Sequence, residues 1–413
     1  MPILLKRRVL GIVRALKASG KARLAECIEK NWHKTVLNYS RELNFWRPKR
    51  PMERELLSAF DRELDRLGMG IHKAEILGSL KKRRVIQTTP HLGATQGPRF
   101  FCINWLASLG VPKGDFYVVA MYSGIPFSNH TRPGRINRHS GGINLFPSAM
   151  QDALVYRSTI PKKLNEEIEK LPHSFTKFLP RAIEGESYTK WALASCQHIE
   201  RKILNKNNLV YLDINEVVTN YLTSVLKNRF HIMHKVFFNP SVRSAFAEAF
   251  SGEIMFYAPV QKGKYEEMEN FFLTGDALKS RSRTIALDNA KILIRELEDG
   301  RLCPALLPGF LVLAFLNQFK CFGSFAQVEY LPVYQEKFAK LPIFKEFKFG
   351  SVPTANLTTG TLPDGKNLFP ADIIIEGKEF NPNPKILFGE LLVGMKENLL
   401  GSYFTGTQKS TRK

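Results

Sequence analysis

One stretch constrains the fold of this chain more than any other: Val85 to Gly110, VIQTTPHLGATQGPRFFCINWLASLG. Val85 to Thr89 is a short β-prone run that stops at Pro90. His91 to Gln96 has turn chemistry, and Pro98 suits the first helical position, where a missing N–H is harmless. Gly110 and Pro112 then close a helix that carries Phe101, Trp105 and Leu109 at four-residue spacing, a face for packing on a sheet. Strand, polar loop and helix in this order imply an open α/β sheet with the loop at the strand's carboxyl end, where ligands collect. The helix aims free N–H groups and its positive dipole end at that place, which favours an anion.

The rest of the chain supports the same class. A second continuous apolar run, Phe116 to Met121, feeds a long polar loop, Tyr122 to Gly134, and a third, Leu209 to Asp213, precedes a helix-like segment from Glu216 to Lys227. The spacing predicts further helices over Met52 to Leu67, 162 to 172, 186 to 206, Thr284 to Leu297, Pro304 to Phe319, Tyr334 to Leu341 and Leu387 to Leu400. It predicts strands at Glu253 to Ala258, stopped by Pro259, and at Ala371 to Ile375, with a loop over Gly263 to Gly275. The expected fold class is therefore α/β: a Rossmann-like parallel sheet flanked by helices, with an N-terminal helical extension over 1–80. The Rossmann-like catalytic domain is placed at 81–405, and 406–413 is read as a disordered basic tail.

Charge bears on partners. Lysine and arginine outnumber acids 60 to 38, a net charge of +22, which draws RNA, an anionic membrane face or a small molecule bearing phosphate or carboxylate. The first helix sets Ile3, Leu4, Val9, Leu10, Val13 and Leu16 against Lys6, Arg7, Arg14 and Lys17. It reads as packed on the parent domain with a solvated basic face, the alternatives being membrane or RNA contact. Five cysteines, with no Cys-x-x-Cys pair, fit reduced cytoplasmic thiols rather than a disulfide framework or zinc ribbon. The most apolar window, Leu302 to Phe319, contains two prolines, an asparagine and a glutamine, and reads as a buried core helix rather than a membrane span. No phosphate-binding loop of the Gly-x-x-x-x-Gly-Lys-Ser/Thr type and no Gly-x-Gly-x-x-Gly after a strand is present. His231 and His234 lack an acidic third ligand, and no metal is expected.

The candidate site gathers residues from four segments. His91 is the candidate general acid or base, and Thr88, Thr89, Gly93, Gln96 and Gly97 complete the first loop. The second loop adds Ser123, Asn129 and Arg132, the last able to grip a carboxylate or phosphate with two N–H groups. Asp213 would lie at a strand end, either to bind a ribose or amine or to cap the next helix. Gly323, Gln327, Glu329 and Tyr330 form a late turn; Glu329 would hold a substrate amine or act as base, or else sit in a helix's first turn.

Val85 to Gly110, with its loop ending in Gly97-Pro98 at a helix start, resembles the opening of the core in the bacillithiol-pathway cysteine ligases. Leu306 to Phe338, an apolar helix leading to a glycine turn, an acid and an aromatic, resembles a later segment of that family; residues 209 to 225 match more faintly. The resemblance implies a Rossmann-like core that joins a cysteine amine or carboxyl to an amino-sugar conjugate. The chain departs from the pattern in carrying Ser123 and Asn129 where an acidic pair is expected, and it has no long coiled coil. The resemblance thus implies a distant relative using another amine or acyl donor, an amide-forming ligase or aminoacyl-type transferase. The nucleotide cofactor is left open, with ATP or ADP as the candidate. The alternative is an RNA- or tRNA-binding protein, with charged tRNA as a donor that would unite the two readings; a non-catalytic scaffold is the third.

Overall fold

The computed structural model describes residues 2–263, 265–346, 350–362 and 368–396. Five helices come first: α1 (Pro2–Ala18), α2 (Ala22–Asn31), α3 (Val36–Asn44), α4 (Arg54–Arg66) and α5 (Lys73–Arg83). The strand–loop–helix unit follows as β1 (Val85–Gln87) and α6 (Pro98–Leu109), then β2 (Tyr117–Met121). After an irregular stretch come α7 (Tyr188–Leu204), β3 (Leu209–Asp213) and α8 (Ile214–Val225). An antiparallel sheet is built from β4 (Ile254–Lys262), β5 (Tyr265–Leu273), β6 (Ala277–Lys279) and β7 (Thr284–Ala286). After α9 (Ala290–Glu298), β8 (Cys303–Pro304) completes it in the order β8-β4-β5-β6-β7. The chain returns through α10 (Leu306–Phe310) to β9 (Lys320–Phe322), then α11 (Phe325–Lys340), α12 (Pro370–Ile375) and α13 (Phe388–Val393).

The central sheet is parallel throughout, in the order β9-β1-β2-β3. This is a Rossmann-like α/β fold with helices on both faces and helices at the N-terminus. Its strands are buried on both sides, so their residues alternate between two cores. Val118, Ala120, Val210 and Leu212 join the core that holds Phe60 of α4 and Tyr221 of α8. Tyr117, Val119, Met121, Leu209 and Tyr211 join the opposite core, with Val13 of α1, Trp105 of α6 and Ile199 of α7. Where α6 ends, Gly110 lies so close to α3 that a Cβ there would stand 2.4 Å from the Ser40 carbonyl and the Arg41 nitrogen.

Several expectations are corrected. Residues 265–273 form a strand, not a loop: β5 pairs with β4 along its length, and its glutamates sit among Phe271 and Phe272. Pro259 does not stop β4, because β8 pairs only with Phe256 and Tyr257 and leaves the edge beyond them open. Thr284 to Leu297 splits into β7 and α9. The expected helix from Pro304 to Phe319 begins as strand β8. It turns helical at Leu306 and widens into a π turn over Leu311–Leu316, all six residues of which are buried. The late turn ends at Ser324, since α11 already begins at Phe325 and carries Pro332 inside it. Ala371 to Ile375 is helical because Pro370 starts a turn that a five-residue apolar run cannot distinguish from a strand. The last helix is described over Phe388–Val393, and the expected basic tail lies outside the described residues. Among the described residues no helix is long and apolar enough to cross a membrane.

Candidate anion-binding cleft

The doubly wound order places a switch point between β1 and β9, where chain direction diverges and a crevice is expected. That crevice is filled. Gly323 N–H donates to the Asn356 carbonyl at 2.9 Å and Thr358 N–H donates to the Gly323 carbonyl at 2.9 Å, so the segment from Asn356 to Thr359 continues past the end of β9. The Gln87 amide reaches Tyr117 and Thr358, and Thr88 donates to the Phe322 carbonyl at 2.9 Å and to Gln327 at 3.1 Å. Thr89 donates to Gln87 Oε1 at 2.8 Å. Thr88, Thr89, Gly323 and Gln327 therefore converge as expected, but as a buried, mutually satisfied network.

The first two polar loops do meet. Leu92 N–H donates to the Tyr122 carbonyl at 2.8 Å, and Tyr122 N–H to the Pro90 carbonyl at 3.3 Å. Asn129 Oδ1 accepts from Thr131 N–H and Oγ1, so it acts as an acceptor toward His91 Nδ1, 3.0 Å away. This assigns the Nδ1–H tautomer and leaves Nε2 with its lone pair. Burial, and more weakly Arg99, hold the His91 imidazole below its ordinary range against the Asn129 bond. His130 stands edge-on to it at 5.6 Å between ring centroids. Desolvation at the cleft wall, then His91 and Arg99, push His130 down to about 4. Both environments favour the neutral form of the ring. Gln96 donates to the His91 carbonyl at 3.3 Å, and Gly93 packs against Pro133.

Beside this pair lies a cleft of about 490 Å³. Gly97, the N-cap of α6, and the first helical residues Pro98, Arg99 and Phe100 form one wall. Arg132, Arg135 and Arg138, with His130 and His139, form the other. No acidic residue lines the cleft among the described residues. Asn137 ties the walls together, its N–H donating to Thr95 Oγ1 at 2.8 Å and its amide to the Thr95 carbonyl at 3.1 Å. Asp372 on α12 aims Arg138 by an Nε–Oδ1 contact of 2.7 Å and accepts from His139 N–H at 2.7 Å. Arg132 and Arg135 have no carboxylate partner among the described residues. The backbone N–H groups of Arg99 and Phe100 and these guanidinium groups are suited to hold phosphate or carboxylate, including the phosphates of a nucleotide.

The remaining expected residues lie elsewhere. Glu329 accepts from Leu24 N–H at 2.8 Å, so its carboxylate satisfies the first turn of α2. It sits two positions from Gln327, which turns it to the opposite side of α11. Tyr330 packs half-buried against Phe310 and Tyr334. Asp213 caps α8, accepting from Asn215 N–H at 3.0 Å and Ser123 Oγ at 2.9 Å, and burial with Glu216 and Glu63 nearby raises its proton affinity. Sequence reasoning brought His91, Asn129, Arg132 and Gly97 to one place, with the His130 imidazole of the second loop on the same edge, but missed Arg99, Arg135, Arg138 and His139. The available signal was the run from Arg132 to His139, with an arginine at every third residue.

Fold and site together define a Rossmann-like α/β protein with an arginine-lined cleft at the amino end of α6. No protein-family model, curated protein or solved structure matches the chain. Among the described residues no three His, Cys, Asp or Glu side chains are grouped as metal ligands would be.

Proposed function

We propose that this protein is a group-transfer enzyme, an amide-forming ligase or aminoacyl-type transferase, that holds an anionic substrate in the arginine cleft. The observation that carries the reading is the pairing of that cleft with two neutral imidazoles, one of them on its wall. Guanidinium groups and the α6 N–H groups bind the anion and counter the negative charge that develops on an attacked carbonyl oxygen. An anion bound in the cleft would raise the proton affinity of His130, which then accepts the proton released by the attacking amine as the C–N bond forms and the phosphate activating the carbonyl leaves; His91 is its positioning partner, held in one tautomer by Asn129. The likeness to cysteine ligases at Val85 to Gly110 supports the reaction class, and ATP or ADP remains the candidate source of activation.

The test is incubation of the full chain with ATP and a small-molecule extract, followed by mass spectrometry. The expected result is an anionic metabolite that gains the mass of an amino-acid residue with wild type and fails to do so with His130→Ala. The reading is overturned if wild type forms no such product and inorganic pyrophosphate, used as a probe anion, neither binds nor raises the melting temperature.

A further inference from the structure

The arginine cleft has a neighbour. A second hollow of about 340 Å³ is lined by Ser128, Asn144, Ser148 and Gln151 around Phe127 and Phe146. Arg132 and Arg135 line both hollows, so they form the wall between them. The two lobes differ in character. The larger adds Arg99, Arg138 and two histidines to the shared pair, whereas the smaller adds amides and hydroxyls without further charge.

The shared pair is held in tension. Burial and the adjacent Arg132 lower the proton affinity of Arg135. Its Nε is buried without a partner, while Nη2 donates to the Gly142 carbonyl at 3.3 Å. Gly142, at φ 67°, lets that backbone close down: a Cβ there would lie 2.9 Å from Arg135 Nε. Arg132 itself occupies a left-handed conformation, φ 52°, which non-glycine residues rarely adopt. Two like charges, one on strained backbone, line one wall, and an anion bound there would relieve their repulsion. A terminal phosphate or carboxylate would fill one lobe only. An anion substituted on both sides, a phosphodiester, fills both.

We infer that the two lobes together bind a single-stranded polynucleotide. One phosphodiester lies on Arg132 and Arg135, the next phosphate lies toward Arg99 and Arg138, and a base enters the neutral lobe to be hydrogen-bonded by Ser128, Asn144 and Gln151. The net charge of +22 favours a polymer of this charge over a small diester. The inference rests on the reading that the cleft binds anions.

Fluorescence anisotropy with labelled RNA and DNA hexamers, in competition with AMP and inorganic pyrophosphate, tests it on the full chain. The RNA or DNA hexamer is expected to bind at least about tenfold more tightly than AMP. The logarithm of its affinity should fall with the logarithm of salt at a slope of about −1.4 or steeper, from about −0.7 for each of two neutralised phosphates. Binding of both hexamers is explained by backbone and base contacts; binding of RNA alone adds a contact to the 2′-hydroxyl. Arg132→Gly, which removes the guanidinium and accepts the left-handed backbone, should weaken hexamer and pyrophosphate alike by about tenfold. Asn144→Ala combined with Gln151→Ala should weaken the hexamer more than pyrophosphate. A hexamer no tighter than AMP, or a hexamer affinity indifferent to both sets of variants, overturns the inference while leaving pyrophosphate binding to stand. Loss of all anion binding by wild type instead removes the underlying reading.

Discussion

Replacing Glu200 by glutamine should change how stability depends on pH, by an amount the structure sets. Glu200 lies on α7 and is fully buried. The Tyr211 hydroxyl and the Asn104 amide, the latter at 3.0 Å, donate to its Oε2, and the Cys196 thiol stands 3.7 Å from Oε1. It thus joins α7, β3 and α6, the helix whose amino end forms the cleft. Burial outweighs these hydrogen bonds and pushes the carboxyl up to about 7, from an ordinary 4.5. Each tenfold change in proton affinity is worth about 1.4 kcal/mol, so the difference amounts to about 3 kcal/mol. Because the folded state binds the proton more tightly, this stability is fully present below 4.5 and is lost as pH rises through about 7. Glutamine cannot ionise and keeps the shape. Urea unfolding of both proteins at several pH values should show the variant gaining on wild type by about 3 kcal/mol between acid and pH of about 8. Parallel curves, with the difference moving by less than about 1 kcal/mol, would show that Glu200 is not held as a protonated acid.

Three further substitutions test the framework. Gly110→Ala drives a Cβ to 2.4 Å from the α3 backbone, which cannot yield as a side chain can, and should lower unfolding stability by about 3 kcal/mol. Glu329→Ala removes the acceptor of the Leu24 N–H and should cost about 1 kcal/mol in a thermal or urea melt, the scale of a lost helix cap. Asp372→Ala frees Arg138 and the His139 N–H, and should weaken pyrophosphate binding by about threefold in calorimetry even though it makes the protein more positive; tighter binding would show that net charge, not placement, governs the cleft.

The parallel sheet was legible because its strands are continuous apolar runs ended by polar loops: Leu209 to Asp213 matches its strand at both ends, and Pro98 to Gly110 frames α6 and its cap. The antiparallel sheet was not. Strand β5 hides behind Glu266, Glu267 and Glu269, the last of which is buried where Ser280 and Ser282, in the turn between β6 and β7, donate to it and Arg281 pairs with it. Leu306 to Leu316 looks like one helix because it is apolar throughout, yet a fully buried run carries no periodicity to mark where a π turn begins. Glu329 was ambiguous because its partner, Leu24, is 305 residues away, and only the folded chain brings the α2 terminus to it.

The site shows why polar residues at strand ends are poor evidence of binding by themselves. Gln87, Thr88, Thr89, Gln327 and Thr358 occupy the switch point, where the fold predicts a ligand, yet their hydrogen-bonding groups are engaged with one another and with the carbonyls of Cys321, Phe322 and Gly323. A segment that plugs a crevice must satisfy the same backbone groups a ligand would, so it carries the same residue types. What separates the two is uncompensated charge. Amides and hydroxyls can close a network among themselves; guanidinium groups cannot, because they only donate and repel each other. With the switch point closed, uncompensated positive charge lies farther out, at the lip where α6 begins and where Arg132 and Arg135 have no carboxylate partner among the described residues. An arginine spacing that continues past a strand-end loop, rather than the polarity of the loop itself, is the feature that marks the cationic edge of the cleft in this chain.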